Sequence, residues 1–367
     1  MTLLQKRLII LLVVIIVAAV LGRLVVRAFS QSIGGWHAVW RKFPMSKSKQ
    51  RKRRVMWGFI YVVVFLTAFL ASVVMKMTAD PFHGKYTVKW DESVGTVYAD
   101  LSYGEGAANK FDLYVPADSS RDSYGLAVYL HAGGFTTGDK QDDQAMLQWL
   151  CSKGYVAAGI NYTLRDEAHP EASVYSQSVE IRDSIPHVIA EAEKLGYKVD
   201  KMAISGGSAG GTLALLYAYR DAEQSPVPVK MVFEAVGPAS FHHEDWKNYG
   251  LDQNTEAAAN LFSVMSGNAI TEEMITSGSY DEQVKDISAD MWVNENTVPT
   301  VCAYGAQDKV CPFDSVKHLV NALEANDVPH EYFELTHSGH ALQNDNKLYA
   351  AYMDAVEDYL ARYIPVK

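Results

Sequence analysis

The sequence predicts an α/β fold in which a mostly parallel central sheet is flanked by helices and covered by a helical lid, preceded by two transmembrane helices. Three observations predict it. From about residue 96 onward, apolar runs of strand length alternate with segments of helical spacing, and that alternation implies parallel strands joined by right-handed crossovers. One strand-to-helix turn, ISGGSAGGTLAL at Ile204–Leu215, sets a serine among four glycines. Charge is also segregated: residues 1–79 carry 13 Lys and Arg and no acid, whereas all 43 Asp and Glu lie from Asp80 onward with the other 20 Lys and Arg.

The basic part, residues 1–79, reads as a membrane anchor. Its apolar runs at 8–26, interrupted by Gly22 and Arg23, and at 55–75 are each long enough as helices to cross a hydrocarbon core of about 30 Å. The segment between them ends in KSKQRKRR, and short loops dense in Lys and Arg stay on the cytoplasmic side. A helical hairpin with both ends outside the cytoplasm follows, and Trp36, Trp40 and Trp57 stand where interfacial anchors are expected. Competing readings are a cleaved signal peptide at the first run, a nucleic-acid or anionic-lipid patch at Lys47–Arg54, and an inverted hairpin with the acidic part in the cytoplasm. Flanked by two spans, the basic run is most simply a topology signal that touches lipid headgroups. The acidic balance beyond Asp80 argues against nucleic acid as a partner.

Residues 80–367 read as one domain, with no internal repeat. Strands are expected at TVYADLSYG, NKFDLYVPADS and GLAVYLHAGG, the last continuously apolar and so buried on both faces. A helix at QDDQAMLQWLCSKG ends in glycine, a strand follows at YVAAGINYTL, and SVEIRDSIPHVIAEAEKLG is a helix bent at Pro186. KMAIS and VKMVFEAVG are strands on either side of the helix TLALLYAYR. Residues from about 240 to 294 hold no strong strand and form too long a connection to be ordinary, which predicts the helical lid. The chain closes with the strand TVPTVCAYG, the helix SVKHLVNALEAND, the strand HEYFEL and the helix NKLYAAYMDAVEDYLARYI. Its three cysteines, Cys151, Cys302 and Cys311, show no metal-ligand spacing; a Cys302–Cys311 bridge and two independent thiols both fit.

Gly206-Gly207-Ser208-Ala209-Gly210 fits G-x-S-x-G, between the strand and helix that this motif requires. Its sharp turn strains the backbone of the nucleophile and crowds its neighbours, so small residues are needed beside it. The competing reading, a phosphate-binding turn, lacks the spacing of either phosphate-binding glycine motif. A serine nucleophile needs a base and a group to orient that base, in the order serine, acid, histidine. Asp308 follows the strand TVCAYG and His340 follows HEYFEL, in loops that leave the same edge of a parallel sheet. Their rivals are Asp314, which suits a helix cap after Pro312, and His337, farther from the loop's tip. Gly133 and Gly134 of the HAGGF loop, with Ala209, supply N–H donors for an oxyanion hole. His242 and His243 are adjacent and so point apart; a solvated or substrate-facing role suits them better than a metal.

With NKFDLYVP, YLHAGGF, GYVAAGINYTL, VDKMAISGGSAGGTLAL, YGAQDKVCP and HSGHAL assembled, the chain from about 95 to 365 resembles the α/β-hydrolase superfamily. Within it, the resemblance is to the esterases and lipases similar to hormone-sensitive lipase and to the carboxylesterases. That resemblance implies Ser208 as nucleophile, Asp308 as orienting acid, His340 as base, and Gly133, Gly134 and Ala209 as oxyanion donors. It also implies hydrolysis of a small-molecule, lipid or glycan ester through an acyl-enzyme, with no metal or organic cofactor. Ala132 stands where the loop usually has its first glycine, and Gly207 where many relatives carry an acid. A peptidase, an acyltransferase and a non-catalytic binding module share the same fold and are the alternatives. Nothing in the sequence sets an oligomeric state.

Overall fold

The computed structural model describes residues 47–77 and 86–366, and the chain divides into two units between His83 and Gly84. In the first unit, helix α1 runs over Lys47–Met77. Its segment Arg54–Val74 is 21 residues long with a mean hydropathy of 2.3, about 32 Å of helix against a hydrocarbon core of about 30 Å. Val55, Phe59, Phe65 and Leu70 are exposed along it. Thr67 returns its hydroxyl to Val63 O within the helix (2.8 Å), as a hydroxyl with no water beside it must. Two transmembrane helices are expected from the sequence, and among the described residues one helix has the length and apolarity required. The other expected span, 8–26, lies outside the described residues, as do Trp36 and Trp40.

The second unit is built on an eight-stranded sheet ordered β1-β2-β4-β3-β5-β6-β7-β8. Its strands are β1 (Gly95–Ser102), β2 (Lys110–Pro116), β3 (Tyr124–Leu130), β4 (Val156–Ile160), β5 (Val199–Gly207), β6 (Val229–Ala235), β7 (Thr300–Gly305) and β8 (His330–Leu335). β2 is antiparallel to both β1 and β4; the remaining pairs are parallel. The continuous apolar runs form the middle of the sheet because they are covered on both faces: every residue of β4 and β7 is buried. β8, at the edge, buries only Leu335 fully.

Helix α2 (Gln144–Ser152) is followed by α3 (Val174–Lys194), which opens on a capping box in which Ser173 and Ser176 exchange hydrogen bonds of 2.9 and 3.1 Å. α3 continues through Pro186 as one helix, and its Ile181, Ile185 and Val188 join the main core with Leu213 and Leu216 of α4 (Ala209–Leu216). Between β6 and β7 the chain forms α5 (Thr255–Ser266), α6 (Glu272–Ser277) and α7 (Asp281–Val284), with 3-10 turns and no strand. Phe262 anchors this segment, lying edge-on to Phe241 (5.8 Å) and Trp246 (5.6 Å). α8 (Val316–Ala325) and α9 (Asn346–Tyr363) complete the chain, and Lys153 just after α2 pairs with Glu357 of α9 (2.5 Å). All three cysteines are buried and unbridged, so Cys302 and Cys311 are two separate thiols.

Candidate active site

Ser208 stands between β5 and α4 with φ 52° and ψ −120°, a backbone conformation that costs a non-glycine residue free energy and has to be held by its surroundings. Two bonds hold it: Ser208 N donates to Ala235 O of β6 (2.8 Å), and Thr212 N donates to Ser208 O (3.1 Å). Gly210 makes the turn sterically possible. A Cβ there would lie 2.0 Å from Leu130 O of β3, so α4 could not approach the sheet as closely. Gly207 is different, since a Cβ on it would meet only Tyr129 Oη at 3.4 Å, which is ordinary contact.

His340 Nε2 lies 2.8 Å from Ser208 Oγ, and His340 Nδ1 lies 2.8 Å from Asp308 Oδ2. The three residues expected from the sequence to act together thus form one continuous hydrogen-bonded line. Asp308 is fixed from behind: Val310 N and Cys311 N donate to its Oδ1 (2.7 and 3.0 Å). Its own carbonyl accepts from Asn248 Nδ2 (3.1 Å), a residue of the segment after β6. The Asp308 side chain is 2 % exposed and that of His340 26 %, so the acid is sealed from water while the imidazole can reach a substrate.

The rivals fall elsewhere. His337 is exposed and pairs with Asp345 (2.9 Å), while Asp314 accepts from Lys247 (2.9 Å) and Lys317 (2.7 Å). The HAGGF loop is a tight turn in which Thr136 N and Thr137 N both donate to Gly133 O (3.2 and 3.0 Å). Gly133 sits at φ 132°, where a Cβ would lie 1.9 Å from Thr137 O. His131 sets the base of this loop. Its ring stacks on Tyr162 (4.3 Å, 6°), its Nδ1 meets Ala132 O (2.7 Å), and burial holds its pKa below the usual imidazole range, so it stays neutral. Gly134 and Ala209 line the same cavity as Ser208 and His340. As the first residue of α4, Ala209 carries one of the N–H groups that a helix leaves unbonded.

That cavity, about 220 Å³, is walled by Phe135, Trp246, Leu261, Val264, Met265 and Val310. Four of these come from the segment after β6 (Trp246 and three residues of α5), so the expected lid region contributes most of the apolar wall. Arg165 also lines the cavity, with Nη1 bonded to Ala172 O (2.9 Å). Sequence reasoning did not reach Arg165 or Asn248, because neither belongs to a motif and each acts across a contact that only folding creates.

The family model BD-FAE matches residues 111–323. Over 272 residues the chain is 25% identical to a protein of Mycobacterium tuberculosis named probable carboxylic ester hydrolase LipM, covering 71% of this chain and 60% of that one. Over 128 residues it is 29% identical to a kynurenine formamidase of Salmo salar, covering 35% of this chain and 40% of that one. Among solved structures, an inhibited esterase B from Lactobacillus rhamnosis superposes with a TM-score of 0.58 at 17% identity, covering 82% of this chain and 96% of that one. At that identity the superposition speaks for the fold, an α/β-hydrolase fold.

Proposed function

Because the chain belongs to the BD-FAE family, among the esterases and lipases of the α/β-hydrolase superfamily, we propose that it is a serine hydrolase of carboxylic esters, tethered to a membrane by α1. The observation that carries the chemistry is the unbroken line from Ser208 through His340 to Asp308, opening into an apolar cavity. In this reading His340 Nε2 takes the Ser208 proton as Oγ attacks the ester carbonyl. The N–H groups of Gly133, Gly134 and Ala209 receive the oxyanion, each such donor being worth about 3 kcal/mol of barrier. His340 returns the proton to the departing alcohol, leaving an acyl-enzyme on Ser208. It then deprotonates the water that releases the acid, while Asp308 keeps the imidazole in one tautomer and stabilises its charged form.

A cavity of about 220 Å³ with an apolar wall suits esters of small acyl groups. The tether reading rests on the length and apolarity of Arg54–Val74 and on the basic run KSKQRKRR at its N-terminal side. Such a run stays on the cytoplasmic side and meets anionic headgroups, which sends the catalytic unit to the other face. The test of the chemistry is hydrolysis of p-nitrophenyl esters of increasing acyl length by the full chain in detergent. Ser208→Ala is expected to lower kcat at least about 1,000-fold. A folded wild type no more active than Ser208→Ala on every ester would sink the proposal. The similarity to a formamidase favours one second reading, an amide as the substrate of the same triad. Release of amine from N-formyl anilides faster than alcohol from matched esters would select it.

A further inference from the structure

Away from the cavity, four side chains meet where both ends of the segment between β6 and β7 reach α8. His242 lies at its entrance, Asp290 near its exit, and His318 in α8. The two imidazoles stack at 4.3 Å with 27° between planes. His242 Nε2 is 4.0 Å from Asp290 Oδ2, and His318 Nε2 is 2.8 Å from Asp245 Oδ2. One donor atom from each of His242, Asp290 and His318 falls within 4.8 Å of the other two. Asp290 is the informative member. Its side chain is 7 % exposed and its Oδ1 has no hydrogen-bond partner among the described residues, so its ionised form costs free energy there without a cation beside it. His243, next in sequence, turns the other way, with Nδ1 to Leu251 O (3.2 Å) and its ring against Tyr280. Adjacent histidines do point apart, and the partner of His242 comes instead from 76 residues downstream.

We propose that His242, Asp290 and His318 bind a divalent transition-metal ion of the zinc type, with an Asp245 oxygen, beside His318, as a fourth donor. Two imidazoles with carboxylate oxygens are a donor set that zinc accepts, and none of His242, Asp290 and His318 lines the substrate cavity. Ligand atoms bound at about 2.0–2.2 Å in a tetrahedron lie about 3.3 Å apart, so binding draws the donors inward by about 1 Å. The histidines can make that move, being 38 % and 40 % exposed. The ion has a structural role: it fastens both ends of the cavity-walling segment to α8, and takes no part in acyl transfer.

The test uses the full chain in detergent, stripped with a chelator and titrated with zinc chloride by calorimetry while the thermal unfolding midpoint is followed. One zinc per chain is expected, with a raised midpoint, and His318→Ala and Asp290→Asn should each weaken binding at least about tenfold. Asp290→Asn is nearly isosteric, so it decides the matter if His318→Ala misfolds. The proposal is overturned if the stripped wild type takes up no zinc, or if it binds zinc as tightly in both variants as in the wild type.

Discussion

Gly207 and Gly210 flank the same serine and carry different burdens. With Leu130 O only 2.0 Å from the position of its missing Cβ, Gly210→Ala has to push α4 off the sheet. We expect it to cost about 1–3 kcal/mol of stability and, by shifting Ser208 and Ala209 N together, about 100-fold in kcat. Gly207→Ala meets only ordinary contact and should change stability by no more than about 1 kcal/mol, in the stabilising direction. Equal effects of the two substitutions, read by thermal unfolding and ester hydrolysis, would refute this account. The sequence thus displays four glycines around one hydroxyl without showing which are obligatory, because the obstacle to a side chain at Gly210 is a carbonyl of β3, 80 residues away. Ser208, Asp308 and His340 were legible for the opposite reason. Each sits at the end of a strand that the apolar pattern marks, and the order of the strands brings their loops to one edge.

At the scale of elements, β6 holds the carboxyl that most sharply opposes its surroundings. Glu234 is fully buried in the seam between β6, α4 and α9. Its Oε2 accepts from Gly237 N (2.9 Å), its backbone carbonyl accepts from Tyr352 Oη of α9 (3.0 Å), and its Oε1 has no partner among the described residues. Burial, partly offset by the Gly237 N–H, pushes its pKa from 4.5 up to about 8. In the folded chain it therefore stays protonated at neutral pH, while in the unfolded chain it ionises above about 4.5. Its contribution to stability is complete below pH 4.5 and is lost as pH rises to about 8, at a slope of up to about 1.4 kcal/mol per pH unit. Glu234→Gln should remove that slope, gaining on the wild type in unfolding midpoint between pH 5 and 8; parallel profiles would refute it. None of this was visible in VKMVFEAVG, where a glutamate inside an apolar run signals burial but not what faces it. The sheet was legible because its strands are short apolar runs between turns. The segment between β6 and β7 was legible only as a long helical excursion, since its helices are short and its 3-10 turns have no periodicity to detect.

For the whole molecule, the proposed tether turns the segregation of charge into a prediction about sides of a membrane. With the basic run that opens α1 retained in the cytoplasm, the unit from Gly84 onward is expected on the far face. Protease added to intact cells should then degrade the catalytic unit; degradation only after lysis would place it in the cytoplasm. The cysteines bear on what such a crossing demands. Burial pushes the Cys151 thiol up to about 12 and those of Cys302 and Cys311 well above their usual value, so none offers a thiolate. A sheet closed by apolar packing, with its sulfurs inert inside it, draws nothing from the redox chemistry of its compartment. It is therefore expected to reach the same folded state in oxidising and in reducing surroundings.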